Sequence, residues 1–266
     1  MEIPATGDTG ILNLTTLTGI NDILTDEPDA SSISKKFEKL YIASREKEHR
    51  IYSDEQVTQL PVIESSHIHS GEWKVRRRSA SRLINYLEKK NKPLAILEVG
   101  CGNGWFSSRL ATIKNSSVTG IDINETELNQ AKRVFGDKTN IHFDRGEIEN
   151  IPFGKNFEVI IFAASIQYFP FLMETIGKAL SILNQGGEIH ILDSPFYPIE
   201  DIANAEQRSY LYYQSIGYGE LAEFYFHHSV DSLSGIKHKI LFDPFRMANK
   251  LLRRKDPFPW ICIMAS

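Results

Sequence analysis

The chain has 266 residues, of which 41% are apolar, and its formal net charge is −4. That length suits one large α/β domain with an extension and is too short for two full-size domains. The apolar content excludes a disordered chain. The acidic balance argues against general nucleic-acid binding, which normally leaves a basic excess. We therefore expect a folded protein without a nucleic-acid partner.

The two cysteines, Cys101 and Cys262, lie far apart in the chain and exclude a disulfide framework. Because the N-terminal stretch also has no basic region and no long apolar run, we expect a cytoplasmic protein without a secretory signal. No run of about 18 apolar residues occurs, so no membrane-spanning helix is expected. No metal-binding spacing stands out, so no metal is expected. Nothing in the sequence specifies an oligomeric state.

The N-terminal part of the chain, residues 1–71, is predicted to be a helical extension. Helical spacing of apolar residues is visible over 34–50, and residues 51–71 look irregular. A stronger amphipathic pattern over 72–90 predicts the first helix of a core domain that occupies residues 72–266.

From residue 94 onward, short apolar runs alternate with helical patterns. This alternation favours a doubly wound α/β fold with a parallel sheet, whose ligand lies beyond the carboxyl ends of the strands. Strands are predicted over 94–99, 117–122, 140–144, 157–163 and 187–193, with two closing strands over 237–242 and 258–264. Helices are predicted over 104–114, 124–135, 170–184 and 199–216, with a short one around 245–254. Gly186 and Gly187 are interpreted as a helix C-terminal cap.

The most informative stretch is LAILEVGCGNGWF at 94–106, a buried strand followed by three glycines at alternate positions and a helix. Glycines let the backbone turn sharply and approach a ligand, and the helix start supplies free N–H groups. A dinucleotide site would need G-x-G-x-x-G, but Trp105 stands where the third glycine would fall. Glu98 at the strand end would repel a pyrophosphate and suits an ammonium group. The loop therefore favours a zwitterionic nucleoside over NAD.

A second predicted strand also ends in an acid, Asp122, which lies 24 residues beyond Glu98. A carboxylate at that position can accept hydrogen bonds from two ribose hydroxyls. An acidic loop follows the third strand, and its Glu147 could accept a bond from an adenine amino group.

Together these pieces resemble the class I S-adenosylmethionine-dependent methyltransferases and look closest to their UbiE-like branch, which acts on small molecules. The matching motifs, in the family's order, are EVGCGNG at 98–104, GID at 120–122, GEIENIPF at 146–153, FEVI at 157–160 and LNQGG at 183–187. The chain departs from the family's usual pattern at Glu147 and Glu158, where aspartate is common.

The resemblance implies a Rossmann-like sheet of seven strands with an antiparallel last strand. It also implies S-adenosylmethionine as the cofactor and a small-molecule methyl acceptor. The segment before the core, residues 1–71 with His67 and His69, is expected to cover the cofactor or substrate. The expected cofactor contacts are Glu98, Gly100, Cys101, Gly102, Gly104, Asp122, Ile123, Glu147, Ile148 and Ala163.

Catalytic residues are harder to identify from the sequence. Methyl transfer from a sulfonium needs an aligned nucleophile and the exclusion of water, and a base only where the nucleophile is protonated. A packing role is the alternative for each candidate, and Arg76–Arg78 and Arg253–Lys255 are expected on solvated helix faces. The candidates are Gln167, Tyr168, Tyr197, His227 and His228.

Three other functions are alternatives. A NAD-linked oxidoreductase is disfavoured by Trp105. A non-catalytic module that binds S-adenosylmethionine is an alternative because no catalytic base can be named. A methyltransferase that acts on protein or RNA is a further alternative.

Overall fold

A computed structural model describes residues 30–152, 156–247, 249 and 256–265, with side chains from residue 35 onward. Its α-helices are α1 (Ala30–Lys47), α2 (Asp54–Gln59), α3 (Ser70–Glu88), α4 (Trp105–Leu110), α5 (Glu125–Phe135), α6 (Leu172–Ser181) and α7 (Ile202–Ser215). Its strands are β1 (Leu94–Val99), β2 (Ser116–Asp122), β3 (Ile141–Arg145), β4 (Phe157–Ala163), β5 (Leu183–Leu192), β6 (Phe196–Tyr197), β7 (His228–Ser229), β8 (His238–Phe242) and β9 (Trp260–Met264). Short 3₁₀ turns lie at Ile148–Asn150, Ile166–Tyr168, Ile199–Asp201, Gly219–Phe224 and Val230–Leu233.

Seven strands form one sheet in the order β3–β2–β1–β4–β5–β9–β8. The first five are parallel, β9 is antiparallel to β5, and β8 is antiparallel to β9. This confirms the predicted doubly wound sheet of seven strands with an antiparallel last strand. The strand order reverses between β1 and β4, and in such sheets a ligand crevice opens there at the carboxyl ends.

Burial explains why the central strands form where they do. β1 and β4 are buried along almost their whole length, as expected for parallel strands covered on both faces. Successive residues of β4 enter different apolar clusters, Val159 one and Ile160 the other, because side chains alternate across a strand. The first cluster includes Leu83 of α3, and the second includes Ile176 of α6. The helices therefore cover both faces of the sheet.

The structure corrects the prediction around Gly186 and Gly187. α6 ends at Ser181, before the predicted end, and the chain is already extended when it reaches these glycines. Leu183 pairs with Phe157, whereas Glu188 pairs with Val159, so extra residues bulge out of β5. Gly186 has a φ of +71° and lies in this bulge. The glycine pair is a strand irregularity and not a helix cap.

Smaller differences concern element ends and connections. α4 ends at Leu110 and is shorter than the predicted helix, and β6 and β7 form a small parallel pair that was not predicted. α2 lies within 51–71, a segment expected to be irregular. The predicted helix around 245–254 lies largely outside the described residues. Among the residues that the structure describes, no helix has the length and apolar character needed to cross a membrane.

The N-terminal helix α1 lies over the carboxyl edge of the sheet. Its Glu38 accepts the backbone N–H of Glu125, at the start of α5, at 2.7 Å. Its Phe37 ring lies 5.3 Å from that of Phe224. These contacts place α1 above the crevice at the strand-order reversal.

Candidate functional site

Three adjoining cavities occupy this crevice. The inner cavity has a volume of about 500 Å³ and the outer cavity about 530 Å³. Both sizes suit a small-molecule ligand. A smaller space of about 100 Å³, here called the charged cleft, shares lining residues with both. Ala164, which follows β4, borders all three.

Backbone hydrogen bonds hold the loop after β1 against the end of β2. The N–H groups of Gly100 and Cys101 both donate to the carbonyl of Ile121, at 2.9 and 3.0 Å. Gly100 has a φ of +74°, and a Cβ there would lie 2.6 Å from the Cβ of Ser165. Only glycine fits, so bare backbone borders both the inner cavity and the charged cleft.

Gly104 has a different role from Gly100. Its φ is +73°, and a Cβ there would lie 2.6 Å from the Phe143 ring and 2.8 Å from the Cβ of Ala131. It lines none of the three cavities. The structure thus places this predicted cofactor residue at a packing contact between α4 and its neighbours, away from the ligand space.

Asp122 ends β2 at the wall of the inner cavity. One of its carboxylate oxygens accepts the N–H of Gly102 at 2.7 Å, and the other accepts the N–H of Asn124 at 2.8 Å. Burial raises the pKa of Asp122, and these two N–H donors oppose the rise. The bonds fix the orientation of the carboxylate, whose remaining lone pairs can accept from hydroxyl groups of a ligand.

Two further acids line the charged cleft, Glu98, which is buried, and Glu127, which is half-buried and also borders the inner cavity. Glu98 is 3% exposed, and the Ser107 hydroxyl donates to its carboxylate. Burial raises the pKa of Glu98 to about 8; the Ser107 bond opposes this rise and the charge of Asp122 adds to it. Burial and Asp122 also raise the pKa of Glu127 to about 7. A cation placed beside these acids would favour their charged form.

Arginines supply the opposite charge in the cleft. Glu72 accepts from Arg76 Nε at 3.0 Å and also pairs with Arg50. Burial alone would raise the pKa of Glu72, but the two guanidinium groups lower it to about 2. Arg45 lies 4.6 Å from the centre of the Tyr41 ring. Acids and arginines therefore face the same small space, as a zwitterionic ligand would require.

The inner cavity is covered by aromatic side chains. Phe37 and Tyr41 of α1 and Phe224 of a late 3₁₀ turn line it from above. The predicted residues Ile123, Glu147 and Ile148 line it from the sheet side, and Cys101 and Ala163 line the charged cleft. All predicted cofactor residues except Gly104 thus border the inner cavity or the cleft. Their role in binding stays a prediction.

Tyr168 and Gln167, both predicted as catalytic candidates, have different surroundings in the structure. Tyr168 lines both the inner and the outer cavity, and its hydroxyl accepts a bond from Arg45 at 3.2 Å. Gln167 borders the outer cavity, but its amide donates to the Ala164 carbonyl at 2.7 Å and accepts from Ser194 at 2.8 Å. Because both ends of its amide are already bonded, Gln167 positions the turn after β4.

The predicted histidines line none of the three cavities. His228 is buried with its Nε2 3.1 Å from the Ile166 carbonyl, and burial lowers its pKa. His227 lies 2.8 Å from the Ser209 hydroxyl, and burial lowers its pKa as well. Tyr197 does line the outer cavity. His67 and His69 lie outside all three cavities too, and His69 bonds to the Glu48 carbonyl at 2.6 Å.

The walls contain residues that the sequence did not single out. Arg76 was expected on a solvated face with its two neighbours, but it lines the charged cleft, and Arg78 donates to Asp256 at 2.6 Å. Arg77 and Arg78 are exposed as predicted, although Arg78 also pairs with Asp256, and Arg253–Lys255 lie outside the described residues. The spacing of Glu72 and Arg76, one helical turn apart, was the available signal. Other charged cavity residues that were missed include Arg45, Glu48, Arg50, Glu127, Asp193 and Arg208.

Ala164 and Asp193 follow β4 and β5 at the rim of the outer cavity. Both have positive φ angles, +56° and +53°, although neither is glycine. The Asp193 carboxylate accepts a bond from the Ser79 hydroxyl at 2.8 Å, and burial raises its pKa.

Away from the crevice, the fold gathers three potential metal ligands, Glu188, His190 and Cys262, with ligand atoms within 4.8 Å of one another. The ring nitrogens of His190 are already bonded, one to Glu188 at 3.2 Å and the other to the Trp260 indole N–H at 3.1 Å. Because these bonds satisfy the imidazole, we assign no metal to this group.

Comparison with known families decides which kind of protein has this crevice. A family described as methyltransferase domain matches residues 90–222, which are 133 of the 266 residues. The chain belongs to this family. Membership confirms the class I S-adenosylmethionine-dependent methyltransferase expected from the glycine loop and the strand-end acids, and it sets aside the NAD-linked alternative.

Known relatives cover part of the chain. A malonyl-[acyl-carrier protein] O-methyltransferase of Halalkalibacterium halodurans is 28% identical over 147 residues, which are 52% of this chain and 54% of that protein. This methyltransferase chain thus spans about half the length of the curated relatives it matches.

Solved structures share the fold over more of the methyltransferase chain. Magnesium protoporphyrin IX methyltransferase from Synechocystis PCC 6803, with bound SAH, has a TM-score of 0.57 at 13% identity and covers 90% of this chain and 100% of its own. A plantazolicin methyltransferase in complex with a substrate analogue and SAH has a TM-score of 0.53 at 18% identity, covering 88% of this chain and 98% of its own. At these identities the likeness shows the fold alone.

Proposed function

We propose that this protein transfers a methyl group from S-adenosylmethionine to a small-molecule acceptor. The observation that carries the proposal is the arrangement at the end of β1 and β2: the buried acid Glu98, the bare backbone at Gly100 and the fixed carboxylate of Asp122 meet at one crevice. This arrangement suits an adenosyl amino acid. Glu98 can pair with its ammonium group, the bare backbone at Gly100 lets it lie close to the main chain, and Asp122 can accept hydrogen bonds from its ribose hydroxyls. Membership of the methyltransferase family and the similarity to a malonyl-[acyl-carrier protein] O-methyltransferase support it.

The three spaces match the parts of the reaction. The inner cavity takes the adenosine, with apolar Ile123 and Ile148 at the base and Asp122 at the ribose. The charged cleft takes the amino-acid part, with Glu98 beside the ammonium and Arg76 beside the carboxylate. The outer cavity, which adjoins the cleft, takes the acceptor.

S-adenosylmethionine, when bound, supplies an electrophilic methyl group. The chain itself has to hold the acceptor in line and keep water out. Tyr168 is suited to this task because it lines both large cavities. Its link to Arg45 would hold its ring in place.

In the same proposal, the described part of the N-terminal extension, residues 30–71, covers the donor. Phe37 and Tyr41 close the inner cavity, and Arg45 reaches the charged cleft and the outer cavity.

Isothermal titration with S-adenosylhomocysteine tests the donor site. We expect binding well below millimolar, and Asp122→Asn should weaken it by about tenfold, since one charged hydrogen bond contributes roughly 1.5 kcal/mol. Asp137→Asn, at an exposed position after α5, is the matched control and should leave binding unchanged. Absence of binding of S-adenosylhomocysteine and S-adenosylmethionine at sub-millimolar concentration would contradict the proposal. Transfer of label from the donor to acceptors then distinguishes an enzyme from a non-catalytic binding module.

A further inference from the structure

The outer cavity carries an excess of positive charge. Its lining includes four arginines, Arg45, Arg50, Arg76 and Arg208, and three carboxyl groups, Glu48, Glu72 and Asp193. Arg208 lies on α7, 6.0 Å from the centre of the Tyr197 ring, and has no ion-pair partner among the residues that the structure describes. One wall of this cavity therefore presents an exposed cation that is paired with no carboxylate of the described residues.

The opposite wall holds Arg50 and Arg76. The Nε of Arg50 lies 3.4 Å from the Glu48 carboxylate, and Arg50 also pairs with Glu72, so Arg76 is the guanidinium group with hydrogen bonds left to make. Arg76 uses its Nε on Glu72, and its terminal nitrogens make no hydrogen bond within the described part of the chain. Guanidinium groups with free N–H donors recognise carboxylates more readily than neutral ligands.

The cavity is poor in groups that could remove a proton from an acceptor. Burial raises the pKa of Tyr212 to about 12 and also raises those of Tyr213 and Tyr225, so these phenols stay protonated. Glu72, with its pKa lowered to about 2, is a weak base. Neither His227 nor His228 lines the space. Asp193 is the remaining acid with a raised pKa, and the Ser79 hydroxyl already donates to it.

From the lining charges, the unpaired donors and the shortage of bases, we infer that the acceptor is a small carboxylate and that one of its oxygens receives the methyl group. This inference rests on the proposed function. A lone pair of the carboxylate oxygen forms the O–CH₃ bond while the S–CH₃ bond breaks and its electron pair stays on sulfur. The products are a methyl ester and S-adenosylhomocysteine, and no proton is transferred. The neutral ester loses its attraction to the arginines, which favours its release.

The binding test uses phenylacetate and 3-phenylpropionate, each beside its primary amide, because five tyrosines also line the outer cavity. With the protein saturated by S-adenosylhomocysteine, calorimetry should give at least a tenfold preference for each acid over its amide. Arg208→Gln should reduce that preference by about tenfold and leave the affinity for S-adenosylhomocysteine unchanged. Arg77→Gln, an exposed arginine on α3, is the matched control and should change neither value.

The product test uses S-adenosylmethionine with a tritiated methyl group and the same acids. A methyl ester releases its label as volatile methanol in mild alkali, whereas an ether or a methylamine retains it. We expect alkali-labile label and a raised KM, with little change in kcat, for Arg208→Gln.

Three outcomes would overturn the inference: equal binding of acids and amides, absence of acid binding at millimolar concentration, or label that resists alkali. A pH-dependent kcat that Asp193→Asn abolishes would point instead to a protonated acceptor with Asp193 as its base. If S-adenosylhomocysteine itself fails to bind, the proposed function fails. If it binds and the acids are not preferred, only the carboxylate assignment fails.

Discussion

The sheet side and the cover side of the crevice are built in different ways. On the sheet side, the backbone of the strand ends shapes the site. The Ile121 carbonyl accepts a hydrogen bond from the N–H of Gly100, and the Asp122 carboxylate accepts one from the N–H of Gly102. On the cover side, side chains from distant segments meet, as in the bond between Arg45 and Tyr168, which are 123 positions apart. The sheet side is thus a rigid base with little tolerance for substitution, and the cover is an assembly of separable contacts.

The largest effect is expected on the sheet side, from Gly100→Ala. The new methyl group would overlap Ser165 and force a left-handed backbone on a non-glycine residue, so we expect a loss of about 3 kcal/mol in the free energy of unfolding and loss of donor binding. Gly186→Ala is the matched control, since its φ is also positive but its Cβ would meet nothing within 4 Å. Its cost should be about 1 kcal/mol. Equal costs in urea unfolding would show that the Ser165 contact is unimportant.

Glu98→Gln keeps the shape of the side chain but cannot take on the negative charge that a bound ammonium group would favour in Glu98. We expect the affinity for S-adenosylmethionine to fall about 10- to 100-fold, because a charged hydrogen bond contributes roughly 1.5–3 kcal/mol. Titration calorimetry measures the change, and Glu88→Gln at an exposed position of α3 serves as the control. Unchanged affinity would place the donor's ammonium elsewhere.

On the cover side, Tyr41→Ala should weaken donor binding by about tenfold, or roughly 1.4 kcal/mol. The melting temperature should change far less than for a core aromatic residue, because Tyr41 belongs to neither apolar cluster of the sheet. Lys39→Ala, exposed on the same helix, is the control. A large loss of stability would mean that α1 is part of the core and not a separable cover.

The pH dependence of the free energy of unfolding is a further test of the sheet side. The pKa of Glu98 is raised from 4.5 to about 8 in the folded protein. Between these values the folded state holds a proton that the unfolded state has lost, so stability should fall as pH rises, by about 1 kcal/mol per pH unit. Unfolding of Glu98→Gln across the same range should show a flatter dependence. A slope that Glu98→Gln leaves unchanged would assign the effect to other acids.

The smallest effect is expected from Tyr212→Phe, at the outer edge of the cover. The Tyr212 hydroxyl donates to Glu48, and the residue is 46% exposed. We expect a change within about 0.5 kcal/mol in the free energy of unfolding. Thermal unfolding measures it, and a larger loss would show that this contact ties α7 to α1.

The two regions also differ in how well the sequence predicts them. The loop at Gly100 and the acid at Asp122 could be predicted because strand, glycine and acid follow one another locally, and parallel strands bring their carboxyl ends together. Gly104 shows the limit of that pattern. The sequence cannot distinguish a glycine that packing requires, here against Phe143, from a glycine that contact with a ligand requires.

The cover could not be predicted in the same way. The apolar spacing in α1 predicts a helix with a buried side, but it does not specify which surface that side contacts. Arg76 was misassigned because a charge next to Arg77 looks solvated until the fold shows which of the two faces the cleft. The bulge at Gly186 depends on pairing with Phe157, a contact that no local pattern encodes.

The left-handed residue Ala164 has a consequence for how this protein could evolve or be engineered. Its conformation costs a non-glycine residue roughly 1–2 kcal/mol, and the entropy that glycine adds to the unfolded chain offsets part of this, so Ala164→Gly should make the protein modestly more heat-resistant. The gain would come at a position that borders both large cavities, and a looser turn there would let the reacting partners drift out of line. Thermostabilising screens should therefore recover this position and find the resulting variants slow.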